Sequence, residues 1–268
     1  MEKIINEEVT NCLPCQANTD TTHHDFMIPS PFPSTKLGLT SIDFSSQTPT
    51  GEYILVAYNE AGRLSTLKLS RSLTAKDAIR ICMETFEKLG TPLEVKSDNG
   101  RAFASHEFAE FAKQRGFKHR KICPLNPQAD GVCERFMKTI NKSIRCAKVE
   151  KVPWKNVTGK MIRNYCATPL RATGISPNFF IHGKDDFDNI PTVRSEGNLE
   201  EILSKARSKD QIYKQKMKKY ADFSQHAKKL NFHIGEPVLV KWDRHNKHQA
   251  LFDPNPYKLI HIKGNMLS

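Results

Sequence analysis

Three acidic residues of this chain could do chemistry together: Asp43 in the stretch SIDF, Asp98 in KSDNG and Glu134 in DGVCERF. Fifty-four residues lie between the first two, and thirty-five between the second and third. Carboxylates are natural ligands of hard divalent cations, and three converging on one spot would repel one another unless a cation sat between them. Two such ions about 4 Å apart could activate a water or a DNA 3′-hydroxyl and steady the leaving oxygen of a phosphodiester. That route needs no covalent intermediate, and so no Ser or Cys nucleophile. Each signal is weak by itself, since an Asp near a strand end is often a turn or edge residue and Asp-Asn-Gly is an ordinary turn sequence.

The segment from Asp130 to Lys148 strengthens the set. At the helical repeat Glu134, Lys138, Lys142 and Arg145 fall within one arc of about 80°. Phe136, Ile140, Ile144 and Ala147 fill an arc of similar width on the other side. The expectation is an amphipathic helix that buries its apolar stripe and presents Glu134 on a basic face. Such a stripe would hold phosphates and give salt-dependent affinity rather than sequence reading.

The elements that must position these residues can be read from pattern. LTSIDF, YILVAY and STLKL alternate like strands, and NEAGR suits a tight hairpin between the second and third. Asp43 alternates with Ile42 and Phe44, which sets it on the face opposite two apolar side chains. A helix is expected over residues 75–89, with Thr74 as cap, Asp77 in the capping-box position and Gly90 as stop. LEVKS runs as a strand into Asp98, a helix over 106–115 lies between Ser105 and Gly116, and FKHRKI reads as a further strand. The order β-β-β-α-β-α-β-α argues for an α/β fold with a mixed sheet and helices packed on it. More helix follows Trp154, then ATGISPNFFIHGK reads as a loop. Residues 200–229 carry nine Lys and Arg against four Asp and Glu, a basic helical stretch, and FHIGEPVLVKW and YKLIHIKG alternate like short strands.

Composition narrows the classes. The chain has 268 residues, 38% of them hydrophobic, with a formal charge of +12. That length suits one substantial domain plus appendages, and the charge points to a polyanionic partner. No apolar run approaches a membrane span of about 20 residues, and MEKIINEEV does not resemble a signal peptide. Seven scattered cysteines, an odd number, argue for a reducing compartment over a disulfide framework.

Taken together, Cys12-x2-Cys15, SIDF, KSDNGRAF, NPQADGVCERFMKTIN, TGISPNFFIHGK, QKMKKYAD and FHIGEPVLVKW resemble the integrase of gypsy-class long-terminal-repeat retrotransposons, within the wider retroviral integrase group. The resemblance spans nearly the whole chain. It implies a ribonuclease H-like core in which Asp43, Asp98 and Glu134 bind Mg²⁺ or Mn²⁺. It also implies 3′-end processing of element DNA and strand transfer into target DNA by a homo-oligomer, with no membrane partner. Asn99, Gly100, Gln128 and Gly131 match the active-site loops of the family. Lys138 and Lys142, with Arg145 on the same stripe, match its DNA-contacting helix face. Nuclear action follows from the DNA substrate, with the cytoplasm as the other compartment.

Several expectations concern departures from the family. Its members carry a His pair upstream of the two cysteines, and none precedes Cys12 here; His23 and His24 lie downstream as bystanders. Two cysteines make a poor structural zinc site, which normally needs four ligands, so Zn²⁺ is not expected. Asp130 stands where the family often has Asn or Ser, and Asn59 where it often has Asp. The expected organisation is a zinc-domain remnant over 1–16, a Pro-rich linker over 17–37, the catalytic core over 38–190, a basic helical linker over 191–230 and a small SH3-like or chromo-like β segment over 231–268. The chain is expected to be a polyprotein fragment or a free-standing integrase-derived gene. The alternative function is a domesticated nucleic-acid-binding protein without catalysis.

Overall fold

Alternation of apolar and polar residues builds the sheet. In the computed structural model, which describes residues 5, 8–9, 11–19, 25–122, 131–184, 198–229, 231–241, 246, 248–263 and 266–267, the strands β1 (Leu39–Phe44), β2 (Tyr53–Asn59), β3 (Ser65–Ser70), β4 (Glu94–Ser97) and β5 (Lys118–Lys121) share one sheet in the order β3-β2-β1-β4-β5. The first three are antiparallel, while β4 and β5 run parallel to β1. The sheet is therefore mixed, as the order of elements predicts. The chain divides into two compact units, Ser30–Tyr213 and a second formed by Met1–Pro29 with Lys214–Ser268.

Each face of the sheet has its own core. Ile42, Leu55, Ala57 and Val95 pack with Ala78, Ile81, Cys82 and Phe86 of helix α2 (Ala75–Leu89) and with Phe103 and Phe108 from α3 (Arg101–Ala104) and α4 (His106–Arg115). The alternate residues Ile54, Val56 and Tyr58 face the other way. They pack with Cys133, Phe136, Met137 and Ile140 of α5 (Gly131–Val149) and with Trp154 at the start of α6 (Trp154–Ala167). The side chains of Ile42, Val56, Ile81 and Ile140 are fully buried. At about 1.5–3 kcal/mol for each such side chain, burial on both faces holds the three layers together.

Local chemistry sets most boundaries. The Thr74 hydroxyl accepts from the Asp77 amide at 3.3 Å, and Gly90, at φ 93°, ends α2. Ser105 accepts from the Phe108 amide at 3.2 Å, and the left-handed Gly116 closes α4. In the β2–β3 hairpin the Asn59 side chain accepts from the Gly62 amide at 2.7 Å, which accounts for Asn at that turn.

The stretch ATGISPNFFIHGK is not wholly a loop. It contains α7 (Pro177–His182), whose N-cap Ser176 accepts from the Phe179 amide at 3.0 Å. Pro in the first turn and a left-handed Gly183 mark its ends, a combination visible in the sequence but brief. The N-terminal stretch also departs from an extended reading after Gln16, because α1 (Leu13–Asn18) runs to Asn18. Ala17, expected to open the linker, is buried, and its carbonyl accepts from the amides of Leu251 and Phe252 at 3.0 Å each.

The basic helix α8 spans Leu199–Ser224. In the larger unit it buries Leu203, Ala206 and Asp210, and Arg63 pairs with Asp210 at 2.6 Å. In the smaller unit the tail forms two short antiparallel ladders, β6 (Pro237–Val238) with β7 (Tyr257–Lys258) and β8 (Ile262–Lys263) with β9 (Met266–Leu267). The alternation in the tail thus yields two-residue strands rather than long ones.

Candidate active site

Sheet register fixes where the first two acids stand. Asp43 pairs with Val56 across β2, and paired residues share a face, so half-buried Asp43 lies on the side covered by α5. Across β4 the strand pairing ends at Ser41 with Lys96. Asp98 follows directly after β4, whose last residue is Ser97, so it leaves the sheet beside the end of β1 that carries Asp43. Both acids therefore leave the sheet at the C-terminal ends of parallel strands, where open α/β sheets form their ligand crevices.

The turn after β4 is tightly specified. The Asp98 carboxylate accepts from the Gly100 amide at 3.0 Å. A Cβ on Gly100 would sit 2.9 Å from that oxygen, so a larger residue there would make the Asp98 carboxylate shift. Asn99 donates to the Ile122 carbonyl at 3.2 Å, and the Ile122 amide donates to the Ser97 carbonyl at 2.8 Å. Asn99, expected to touch DNA, thus also ties this turn to the end of β5.

Glu134 lies in the first turn of α5, exposed, beside the fully buried Cys133. Lys138, Lys142 and Arg145 are exposed on the same side of the helix, while Phe136, Ile140 and Ala147 are buried against the sheet. The expected amphipathic helix is present with its stripes in the expected places. Among the described residues, no three His, Cys, Asp or Glu side chains stand close enough together to hold a metal ion. The structure therefore sets Asp43 near the end of β1 and Asp98 just past the end of the neighbouring β4, and the three acids do not form such a group. Gln128, Asp130, His23 and His24 lie outside the described residues.

Cys12 and Cys15 are free thiols at the start of α1. The hydrogen bond that the Cys15 thiol shares with Cys12 raises it above its ordinary value, which disfavours a thiolate pair without a metal.

Two features escaped the sequence reading. Lys96 pairs with Glu60, and the Ser41 hydroxyl donates to the same Glu60 oxygen at 2.6 Å. His119 Nε2 lies 2.9 Å from the Ser97 hydroxyl, which itself donates to the Asp98 carbonyl at 2.9 Å. Burial, and then the nearby Lys121, lowers the His119 pKa, so the ring is held in its neutral form. A charged residue inside an apolar strand is the available signal for Lys96. His119 has no comparable signal, because its role depends on register.

A five-stranded mixed sheet with three antiparallel strands leading into two parallel ones, covered by helices on both faces, is the ribonuclease H-like fold. A chain in the structure of the simian T-cell lymphotropic virus intasome in complex with the PP2A regulatory subunit B56 gamma shares it at TM-score 0.57 and 16% identity, over 74% of this chain and 72% of that one. Residues 38–127 match the family model of the integrase core domain. An uncharacterized protein of Caenorhabditis elegans is 28% identical over 250 residues, which are 93% of this chain and 19% of that protein. The Tf2-3 transposon polyprotein of Schizosaccharomyces pombe is 26% identical over 190 residues, covering 68% of this chain and 14% of the polyprotein. The chain thus spans a fifth or less of the length of these relatives. The resemblance to an integrase core, read from SIDF, KSDNGRAF and the DGVCERF helix, stands.

Proposed function

We propose that this chain is the catalytic part of a DNA-integrating enzyme, a polynucleotidyl transferase that trims element DNA at its 3′ ends and joins them to target DNA. The observation that carries the reading is the parallel pairing of β1 with β4, which sets Asp43 near the end of one strand, on the sheet face that also carries α5, and Asp98 just past the end of its neighbour. The donor set fits a divalent cation: hard oxygen ligands, two of them one strand apart, with a charge repulsion that a cation would relieve. Asp43, Asp98 and Glu134 would hold Mg²⁺ or Mn²⁺, and two carboxylates with waters already meet the needs of Mg²⁺. When bound, the metal supplies activation of the attacking oxygen and stabilisation of the leaving one.

The chain's own residues do the rest. Asn99 and Gly100 hold the turn that carries Asp98. The exposed stripe of Lys138, Lys142 and Arg145 holds the DNA backbone beside Glu134, without reading its sequence. Self-association and action in the nucleus belong to the same proposal, since joining two element ends to one target requires several protomers on DNA.

One observation favours a second reading, a DNA-binding protein that no longer catalyses: the three acids are not gathered into a single cluster among the described residues. Strand joining on a branched DNA substrate with Mg²⁺ or Mn²⁺ separates the two. The integrase reading expects joining by the wild type that is abolished in Glu134→Gln with folding and duplex binding retained. A folded wild type that binds DNA and joins nothing would favour the second reading.

A further inference from the structure

Asp98 is reached from β5 by a short directional chain of hydrogen bonds. His119 pairs with Val95 in the β4–β5 register, and its ring meets Phe108 edge-on at 4.9 Å. Its Nε2 lies 2.9 Å from the hydroxyl of the fully buried Ser97. That hydroxyl has one proton to give. It goes to the Asp98 carbonyl at 2.9 Å, so the Ser97 oxygen must receive its other bond from a proton on His119 Nε2.

We propose that His119 is a positioning residue for Asp98, acting through the Ser97 hydroxyl. The proposal rests on the reading of Asp98 as one of the metal-holding acids. The Asp98 main chain is pinned by this relay, and its carboxylate is oriented by the Gly100 amide. The half-buried ring packs edge-on against Phe108, a member of the core. Neutral and protonated imidazole both carry a proton on Nε2 in this arrangement, so the relay holds Asp98 across the pH range in which His119 titrates. An amide donor in place of the ring can serve; an apolar side chain of similar size cannot.

The test uses the full chain with His119→Gln, His119→Leu and Ser97→Ala. Imidazole ¹⁵N NMR of the wild type is expected to show the Nε2–H tautomer. The backbone amides of Asp98, Asn99 and Gly100 are expected to shift in His119→Leu and Ser97→Ala, and to stay near wild type in His119→Gln. In branched-DNA joining, misplacing one ligand should lower turnover roughly 10- to 100-fold in the Leu and Ala variants with KM for DNA unchanged, and Gln should restore it. An Nδ1–H tautomer, or Gln and Leu variants that behave alike, overturns the proposal. Should His119→Leu fail to fold, Ser97→Ala removes the same relay at a smaller side chain. A wild type that joins no DNA counts against the integrase reading, whereas the tautomer and amide shifts still decide the role of His119.

Discussion

Lys96 and Glu60 form an ion pair on the sheet face that carries Asp43, with 5% and 10% of their side chains exposed. The face follows from register, since Lys96 pairs with Ser41, and Ser41 with Tyr58 of the core beneath α5. Removing one partner of a buried pair leaves the other uncompensated, which costs about 3–5 kcal/mol, whereas replacing both by apolar groups is often neutral. Lys96→Met should therefore lower the urea midpoint strongly, and Lys96→Met with Glu60→Leu should recover most of the loss. A single variant as stable as the wild type would mean that the pair is solvated in solution.

The proposed meeting of Asp43 and Asp98 at the ends of neighbouring strands makes a prediction about stability as well as activity. Two carboxylates side by side without a cation repel, so Asp98→Asn in metal-free buffer should be at least as stable as the wild type. Added Mg²⁺ should stabilise the wild type, by about 2.7 kcal/mol at a hundredfold excess over its dissociation constant, and leave Asp98→Asn nearly unmoved. Thermal unfolding with and without Mg²⁺ measures both effects. Equal stabilisation of the two proteins would place the ion elsewhere.

Much of this was legible in the sequence because local signals decided it. Thr74 with Asp77 and Ser105 with Gly116 bounded α2 and α4 to the residue, and the alternation around Ile42 and Phe44 turned Asp43 to the correct face. The stripe of Lys138 and Lys142 opposite Ile140 followed from the helical repeat alone. What stayed hidden depends on which strands become neighbours. The placing of Asp43 and Asp98 at the ends of neighbouring strands, the meeting of Lys96 with Glu60 and the contact of His119 with Ser97 all require the β1–β4–β5 order. Helix α7 was missed for another reason: its six residues are too few to show a repeat, and only its Ser-Pro start gives it away.

Asp77 links the start of α2 to pH. The Ser72 hydroxyl, and after it Thr74 and Arg80, hold its carboxyl below the usual carboxylate range. A group whose pKa falls on folding adds stability that is complete above its unfolded value, about 3.9, and is lost as pH falls through the folded value. The advantage of the wild type over Asp77→Asn in thermal unfolding should be full at pH 6 and shrink in acid below about pH 4. Thr74→Ala, which removes the hydroxyl that caps the Asp77 amide, should cost about 1 kcal/mol.

The basic stripe on α5 can be separated from the acids by its salt dependence. Lys138, Lys142 and Arg145 are exposed, so changing all three to Gln should leave folding within about 0.5 kcal/mol per site. Each phosphate contact contributes about 0.9 to the slope of log affinity against log salt. If all three side chains meet the backbone of bound duplex, the triple variant should reduce that slope by roughly 2.7. The loss should be the same on duplexes of unrelated sequence, because phosphate contacts carry no sequence information. A fluorescence-anisotropy salt titration reads both quantities. An unchanged slope would move the DNA off this face of α5 and leave the lysines of α8 as the main polyanion contact, and Lys214, Lys216 and Lys219 would then be the next positions to change.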